Sequence, residues 1–554
     1  MFEKMQRRDL LRLSPLALAA TVGHVSVAEA QTETHATSAV YNVHDFGAKG
    51  DGKTVDTPAV NKAIAAVAAA GGGTLVFPAG TYLCFTIHLL SYVDLYLSRG
   101  CTIQAADSPK MGDATGYNGG MYDAAEPNEP WTPYQDFGHN HWRNSLFYAE
   151  KQHDFSILGP GLIFGKGLSH GIDHEVRGGY SVYRAEQAGV GNKALAFKNC
   201  RNVLLRDFSI LKGGHFALLA TGVDNLTIDN LIVDTDRDGF DIDCCRNVRV
   251  SNCTVNAPWD DGICPKSSYA LGYQRPTENV TIANNFVTGG YELGSVVSGA
   301  WKRFADDAPV PRQGRIKCGT ESNGGFRNIT ITGNVIELSK GISLETSDGA
   351  LLEDIAITAN TLRETIDAPL FLRLNRRNRG PKETMRPGTL RRVVISDIVS
   401  HNAAASTASI FSGVPGNVIE DVKLSNCYFG HEGLPKRMRV RWGTTFEPMP
   451  DWRGVHVPEL ESDYPELLRF GPTPCHGFFV RHLRNLEMAH VEIAPEAEDP
   501  RPAFWLEDVH RADFFAITAP RQNNFSLHSV SDFRLGWSRA AKDAEIAQAD
   551  EQVL

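Results

Sequence analysis

Three aspartates stand where their spacing suits proton-transfer chemistry. Asp238 opens the segment Asp-Gly-Phe-Asp-Ile-Asp, and the pair Asp260 and Asp261 follows 22 residues later. If the residues between them form one turn of a coiled sheet, Asp238 lies beside the pair on a neighbouring strand, about 4.8 Å away. Carboxylates packed so closely resist ionising together, so one holds a proton while another stays charged. That division is what general acid and base catalysis requires.

Two other aspartates of the segment, Asp241 and Asp243, are open to a plainer interpretation. Aspartate is a common turn former, and we leave both interpretations of these two residues open. The adjacent acids Asp260 and Asp261, between Trp259 and a glycine, have no comparable turn rationale.

A pair of basic residues could bind an anion near the aspartates. Arg315 and Lys317 are two positions apart, so on a strand both side chains point the same way and could clamp one carboxylate. A solvated pair of surface charges is the alternative. A second basic cluster fits a solvated loop better than a ligand site; its members are Arg373, Arg376, Arg377 and Arg379.

A repeat runs through most of the chain and predicts the element that positions these residues. Asparagine is followed by alternating apolar residues in units that begin at Asn202, Asn225, Asn247, Asn279 and Asn328. The first starts are 23 and 22 residues apart, and later gaps widen to 32 and 49. Alternation in short runs predicts short strands with tight turns. Repetition at this period predicts solenoid coils with extra residues looped out. We therefore predict an all-β fold, a single-stranded right-handed parallel β-helix; a leucine-rich horseshoe is the alternative, but its leucine spacing and helical half are missing.

The domain boundaries follow from this repeat. Residues 31–554 are expected to form one β-helix domain, with an N-terminal cap over about 40–105 and core coils over about 150–540. Within the cap, Asp56 to Ala70 predicts an alanine-rich helix that ends at Gly71-Gly72-Gly73. Such a helix covers the open end of a solenoid.

Three long excursions are predicted, on one face of the solenoid, at about 107–145, 373–387 and 430–473. Long loops in a compact fold are usually functional or mobile. The first excursion carries Trp131, Trp142 and several tyrosines, which could either stack on sugar rings or anchor the loop by burial. His139 and His141 alone are weak evidence for a metal site, because no third ligand stands nearby.

The first thirty residues look like an export signal. Arg7 and Arg8 precede an apolar run from Leu13 to Val22, and Ala28-Glu29-Ala30 forms a small-residue cleavage site. This pattern is typical of a bacterial twin-arginine signal peptide, so we expect a periplasmic or extracellular protein. With a net charge of −10 and no long basic run, nucleic-acid binding is not expected, and no later run is apolar enough for a membrane span.

The ten cysteines are expected to be thiols, because twin-arginine substrates commonly fold in the cytoplasm before export. Cys200, Cys245 and Cys253 fall at repeat positions, which favours small buried side chains stacked in the core over metal ligands.

The sequence resembles a known family at several points. The stretch from Tyr41 through Asn-Val-His-Asp-Phe-Gly-Ala-Lys-Gly-Asp-Gly resembles the opening of many pectin-degrading β-helix enzymes. Asp238-Gly-Phe-Asp, Asp260-Asp261-Gly-Ile, Lys266-Ser267 and Arg315-Ile-Lys resemble, in order and spacing, the catalytic core of glycoside hydrolase family 28, the polygalacturonase family. The likeness extends over about residues 40–400. It implies the fold, and it implies hydrolysis of glycosidic bonds in pectin with inversion at the anomeric carbon.

The resemblance also implies roles for individual residues. Asp260 would protonate the glycosidic oxygen, and Asp238 with Asp261 would activate the water. Arg315, Lys317 and Lys266 would bind the substrate, the first two through a uronic acid carboxylate. Inversion requires about 6.5–9.5 Å between the acid and base carboxyl groups, so that a water fits between them.

One departure from the family bears on the substrate. Members that cut polygalacturonan usually carry Gly-His-Gly between the aspartate pair and the Arg-Ile-Lys triplet, where this chain has Thr288-Gly-Gly-Tyr-Glu-Leu-Gly-Ser. Tyr291 or Glu292 could take the place of that histidine as a binding group. Because this histidine is missing, we expect rhamnogalacturonan or decorated pectin fragments as substrates rather than plain polygalacturonan.

Together these features predict an exported inverting glycoside hydrolase that acts on an acidic plant cell-wall polysaccharide or its oligosaccharides, with cleavage at chain ends and within chains both left open. We expect a monomer with no cofactor and no metal ion. Two alternatives stay open: a β-eliminating lyase with an Arg or Lys base and Ca²⁺, and a β-helix that binds carbohydrate without cleaving it.

Overall fold

The asparagines that open the sequence repeats form one bend in successive coils. Asn202, Asn225 and Asn247 have φ values of 55°, 57° and 57°, in the left-handed region that asparagine tolerates better than most residues. The side-chain amide of Asn225 donates to Asn202 at 2.8 Å, and that of Asn247 donates to Asn225 at 3.1 Å. Asn279 and Asn328 extend this ladder. The repeat of the sequence is thus a repeat of one backbone bend.

The computed structural model describes residues 39–109, 119–135, 137–169, 176–177, 180–181, 185, 187–520 and 523–554. Ala39–Leu554 form one compact unit. The predicted export signal, residues 1–30, lies outside the described residues. Among the described residues, no helix has the length and apolar character needed to cross a membrane.

Each coil contributes one strand to each of three parallel faces. The first face contains Ile87–His88, Phe147–Glu150, Leu195–Lys198, Phe216–Thr221, Asp238–Asp243, Ile263–Lys266, Ile316–Cys318, Ile342–Thr346, Leu370–Leu374 and Ser409–Ser412. The second face contains Val40–Asn42, Gly73–Phe77, Val93–Leu97, His153–Leu158, Arg201–Arg206, Asp224–Asp229, Arg246–Ser251, Thr277–Ala283, Phe326–Thr332, Leu351–Thr358 and Thr389–Ser396. The third face contains Asp51–Val55, Gly80–Cys84, Cys101–Ala105, Leu162–Phe164, Ser209–Leu211, Ile232–Asp234, Thr254–Asn256, Phe286–Thr288, Val335–Glu337, Thr361–Arg363 and Val399–Ala403.

Longer strands complete the C-terminal end of the solenoid. Ile419–His431, Phe478–Pro495, Phe504–Phe515 and Phe525–Gly536 pair in parallel, and Ala544–Val553 pairs antiparallel with the last of them. Two small hairpins join Val176–Arg177 to Tyr180–Ser181 and Arg437–Val440 to Thr445–Pro448. The architecture confirms the predicted right-handed parallel β-helix and excludes the horseshoe.

The α-helix Thr57–Ala69 lies in the predicted position and buries Val60, Ala63, Ile64 and Val67. Short 3₁₀ helices are Val43–Phe46, Thr132–Tyr134, Phe137–His139, Lys382–Thr384, Arg441–Gly443, Trp452–Gly454 and Leu467–Phe470.

The core is a stack of apolar side chains between the faces. Leu218, Phe240, Ile263 and Ile316 are register partners in four successive coils, and all are completely buried. Side chains alternate along a strand, so the residues on either side of Ile316 point away from the core. All ten cysteines are free and buried, which confirms the expected thiols.

Long excursions rise mainly at the edge of the first face. Residues 106–146, 289–315 and 432–477 all leave a third-face strand and return to a first-face strand, while residues 375–388 leave the first face. The outer side of the first face is therefore walled by loops.

Candidate active site

The three aspartates lie at the edge of the first face, where successive coils enter it. Asp238 begins the strand Asp238–Asp243, while Asp260 and Asp261 precede the strand Ile263–Lys266 in the next coil. Gly239 donates its N–H to the carbonyl of Asp261 at 2.9 Å, which holds the two coils in register.

The three carboxylates meet. The backbone N–H of Asp261 lies 3.2 Å from Oδ1 of Asp238 and 3.1 Å from Oδ1 of Asp260. One carboxylate oxygen from each aspartate lies within 4.8 Å of those of the other two. The three carboxylates therefore lie close enough for their charges to interact strongly.

The environments of the three carboxylates differ. Burial raises the pKa of Asp238 well above its usual value, and the nearby carboxylates of Asp241 and Asp260 raise it further. Burial raises the pKa of Asp261 as well, but the nearby cations Arg315 and Lys317 lower it by more. The pKa of Asp261 therefore lies below its usual range. Asp260 is partly exposed and its Oδ2 lies 3.0 Å from Nη2 of Arg237. In the ligand-free protein these environments favour the proton on Asp238 and the negative charge on Asp261.

Arg315 and Lys317 share the outward side of one strand, as their spacing predicted, and both are buried. Arg315 donates through Nε to Oδ1 of Asp261 at 2.5 Å and through Nη2 to Oε2 of Glu466 at 2.9 Å. Lys317 Nζ lies 3.2 Å from Asp261 and 3.8 Å from Glu345. The solvated-surface alternative is wrong for this pair, because their side chains are only 1% and 2% exposed.

Lys266 joins a separate charged cluster beside Asp238. Its Nζ lies 3.3 Å from Oδ1 of Asp241, 3.8 Å from Glu321 and 2.8 Å from Nε2 of His139. Burial and Lys266 both lower the pKa of His139, so its neutral ring accepts from Lys266 through Nε2 and carries hydrogen on Nδ1. That buried Nδ1 has no hydrogen-bond partner among the described residues.

Two interpretations left open by the sequence separate here. Asp243 ends the strand Asp238–Asp243, and its oxygens accept from the N–H and hydroxyl of Ser268 in the next coil at 2.7 and 2.6 Å, so it is a buried link between coils and not a turn former. Asp241 belongs to the charged cluster instead, where burial raises its pKa to about 7 against the opposing effect of Lys266.

Tyr291 and Glu292 have partners away from the three aspartates. The hydroxyl of Tyr291 donates to Glu337 at 2.7 Å, and Glu292 pairs with Lys302 at 2.8 Å. Two buried histidines lie near the aspartates instead: His139, which comes from the first excursion, and His215, which precedes Phe216, the register partner of Asp238.

The aromatic residues of that excursion include clear anchors. Trp142 and Tyr122 are buried; the indole of Trp142 donates to Thr221 at 3.1 Å and packs with Phe216 and Leu219. These two residues hold the loop that carries His139.

Two clusters of the described residues bring three potential metal ligands together. One is the aspartate trio, whose charge is already balanced by Arg237, Arg315 and Lys317. The other is His431, His476 and Asp499, where the two rings are hydrogen-bonded at 2.9 Å and Asp499 is paired with Arg501 at 2.6 Å.

Sequence patterns did not reveal Glu466 and Tyr464, which complete the site. Both lie in the third excursion, 151 and 147 residues from the side chains they contact. That excursion has no repeat or motif that would place it over Arg315.

Comparisons with known proteins agree with this architecture. The family model described as rhamnogalacturonase A/epimerase, pectate lyase-like, matches residues 40–118. A probable polygalacturonase of Vitis vinifera is 25% identical over 326 residues, 53% of this chain and 60% of that protein. An alginate lyase of Azotobacter vinelandii is 64% identical, but only over 42 residues, 8% of this chain and 5% of that protein. The chain thus spans less than two thirds of the length of each of these relatives.

The family 28 exopolygalacturonase of Yersinia enterocolitica superimposes with a TM-score of 0.57 at 15% identity, over 92% of this chain and 80% of that one. At this identity the likeness concerns the fold. Residues 40–118 thus match a pectate lyase-like family model, and the chain has a parallel β-helix fold similar to that of the family 28 exopolygalacturonase.

Proposed function

We propose that the chain is a glycoside hydrolase that cleaves pectin-type polysaccharide or its oligosaccharides. The observation that carries the proposal is the meeting of Asp238, Asp260 and Asp261, with oxygens within 4.8 Å of one another and with opposite pKa shifts at Asp238 and Asp261. One site thus contains both a proton donor and a charged base, as general acid–base hydrolysis requires. The partial likeness to a polygalacturonase supports the substrate class.

The reaction needs one proton delivered and one removed. The acid protonates the glycosidic oxygen as its bond to the anomeric carbon breaks, and the base takes a proton from the water that attacks that carbon. The resemblance assigns the acid to Asp260, whereas the electrostatics of the ligand-free site put the proton on Asp238. We propose that the proton held by the trio reaches Asp260 when a sugar oxygen replaces part of the contact with Arg237.

Leaving-group chemistry tests this assignment. We expect Asp238→Asn, Asp260→Asn and Asp261→Asn each to lose at least about 10³-fold in kcat on natural oligosaccharides. An aryl glycoside with an acidic phenol needs no protonation, so Asp260→Asn should regain activity on it, whereas Asp261→Asn should not. Recovery by Asp238→Asn instead of Asp260→Asn would move the acid role to Asp238, and full activity of all three variants on the natural substrate would refute the proposed function.

The anomeric outcome tests the inverting mechanism. Inversion requires space for a water between the base and the anomeric carbon. Proton NMR of the first product formed should show the inverted anomer; the retained anomer would contradict the inverting mechanism.

The charges disfavour the lyase alternative. A β-eliminating base must be able to lose its proton. Burial lowers the pKa of both Lys317 and Arg315, but nearby carboxylates raise it by more. These carboxylates are Asp261 and Glu345 for Lys317, and Asp261 and Glu466 for Arg315. We expect no unsaturated product absorbing in the near ultraviolet. Such a product, lost on adding a chelator, would favour the lyase, and binding without cleavage would favour the non-catalytic alternative.

We further propose cleavage at chain ends. Two excursions reach the first face, one from coils before the aspartates through His139 at Lys266 and one from coils after them through Glu466 at Arg315. A site closed on both sides admits a chain terminus more readily than the middle of a polymer. Product sizing on end-labelled oligosaccharides should yield one small product from the start of the reaction.

We also propose export through the twin-arginine route. Residues 1–35 fused to a folded reporter should direct it out of the cytoplasm, and replacing Arg7 and Arg8 by lysine should stop this. Export that persists after the replacement would contradict the proposal.

A further inference from the structure

The third excursion places a carboxylate on the basic pair. Glu466 accepts from Nη2 of Arg315 at 2.9 Å and from Nζ of Lys340 at 2.9 Å, and its side chain is 1% exposed. Although burial opposes it, Arg315 and Lys340 lower the pKa of Glu466 to about 2. Two residues earlier, the hydroxyl of Tyr464 lies 3.2 Å from Nζ of Lys317. The two groups that could clamp a sugar carboxylate are thus already engaged by the chain itself.

The segment that carries Glu466 is firmly attached to the first face. Arg373 donates to the carbonyls of Glu459 and Leu460 at 2.6 and 3.0 Å, and Asn375 donates to that of Asp463 at 2.8 Å. An apolar cluster joins the segment to the outer side of the strands; it contains Phe371, Ile410, Val457, Leu467, Phe470 and Phe479. The carboxylate of Glu466 is therefore a fixed part of the site.

The cations around the pair are engaged without a ligand. Arg315, Lys317 and Lys340 face Asp261 and Glu466, whose pKa values lie below the usual range, and Glu345, whose pKa burial raises to about 7. A uronic acid placed against Arg315 would bring a further anion beside Asp261 and Glu466, and like charges in such a buried setting repel strongly. The site therefore disfavours an acidic sugar, although Arg315 and Lys317 alone would attract one.

We propose that Glu466, assisted by Tyr464, is a specificity-determining residue that makes the sugar-binding position beside Arg315 selective for a neutral sugar. This inference rests on the proposed hydrolase function and narrows it. The substrate would be an oligosaccharide with a sugar that lacks a carboxyl group at this position beside the cleaved bond. Rhamnogalacturonan fragments, in which neutral and acidic sugars alternate, offer such a residue, while oligogalacturonates do not.

The experiment compares Glu466→Gln with the wild-type chain. Glutamine keeps the shape of the glutamate side chain and one hydrogen-bond acceptor, but it removes the negative charge. Nη2 of Arg315 then lacks a negatively charged partner and can bind the carboxylate of a sugar. We expect wild-type kcat/KM to be at least tenfold higher on rhamnogalacturonan oligosaccharides than on oligogalacturonates. In Glu466→Gln this ratio should fall at least tenfold, through better use of oligogalacturonate.

A matched control comes from the same segment. Glu461 is partly exposed and pairs with Arg376 at 3.5 Å, outside the site, so Glu461→Ala should leave the ratio unchanged. Unfolding midpoints of both variants show whether each has folded. If Glu466→Gln does not fold, the wild-type ratio of kcat/KM on the two oligosaccharides alone tests the inference.

A binding assay separates this inference from the proposed function. D-galacturonate and D-galactose serve as probes in calorimetric titrations, which need no catalysis. We expect wild-type protein to bind galactose at least as well as galacturonate, and Glu466→Gln to gain at least tenfold for galacturonate. Hydrolysis with a wild-type preference for oligogalacturonate would overturn the inference alone, as would tighter wild-type binding of galacturonate. Absence of any hydrolysis would refute only the proposed function.

Discussion

Asp238 is a carboxyl group whose burial should cost stability as pH rises, and Asp238→Asn should remove that cost. In the folded chain burial and the neighbouring Asp241 and Asp260 raise its pKa well above 3.8, the value for an exposed aspartate. Above pH 3.8 the unfolded chain therefore releases this proton while the folded chain keeps it. Stability conferred by the proton is complete below pH 3.8, declines as pH rises, and is gone above the folded pKa.

The size of the effect follows from linkage. Between the two pKa values the wild-type chain loses about 1.4 kcal/mol of unfolding free energy per pH unit through this one group. Asparagine stays neutral, and its side-chain oxygen can still accept from the N–H of Asp261. From pH 5 to pH 6 the variant should therefore gain about 1.4 kcal/mol relative to wild type, while its hydrolytic activity is lost.

Urea unfolding at pH 5.0, 5.5 and 6.0 measures this gain. Asp229→Asn is the control, because hydrogen bonds, chiefly from Asn252, lower the pKa of Asp229, so it is ionised in both states over this range and its variant should shift stability equally at each pH. A difference between Asp238→Asn and wild type that is constant from pH 5 to 6 would refute the protonation state argued for the site.

Three further outcomes are expected. Asn247→Ala should cost about 2 kcal/mol of unfolding free energy, because it breaks the asparagine ladder and puts alanine at φ 57°. Asn247→Gly should cost less, because glycine tolerates this φ value. Equal urea midpoints for the two variants would contradict the role of the bend. His139→Ala removes the acceptor of Lys266 and should lower kcat/KM at least tenfold in a chain that still unfolds cooperatively, although at a lower midpoint; unchanged kinetics would separate His139 from the substrate. A thiol reagent should modify few of the ten buried cysteines of the native chain and all of them in urea; fast reaction of several native thiols would contradict their burial.

The fold was predictable because its geometry repeats at short range. Asn202, Asn225 and Asn247 each mark a left-handed bend, and the alternation after each marks the strand that follows. Register between adjacent coils then brings Asp238 beside Asp261, and strand alternation puts Arg315 and Lys317 on one side. All of these inferences need only neighbouring coils.

The partners of those residues could not be predicted in the same way. Tyr291 stands where the family has its histidine, but residues 289–315 leave the repeat, and Tyr291 pairs with Glu337 on the third face instead. His139 and Glu466 reach the site from loops, 127 and 151 residues from Lys266 and Arg315. Loop paths are set by long-range packing, such as that of Trp142 and Phe470, which no local pattern records.

The site accordingly divides between two sources with different roles. The coils supply the three aspartates and the basic pair, so any chain that keeps the repeat and these motifs keeps the means of proton transfer. The loops supply the groups that neutralise or occupy those side chains: His139 at Lys266 and Glu466 at Arg315. Because a buried cation that already pairs with a protein carboxylate attracts a sugar carboxylate less strongly, the proposed role of Glu466 would make the loops decide which sugar the shared chemistry serves. On that proposal, substrate choice in this chain can change through one loop residue while the catalytic coils stay the same.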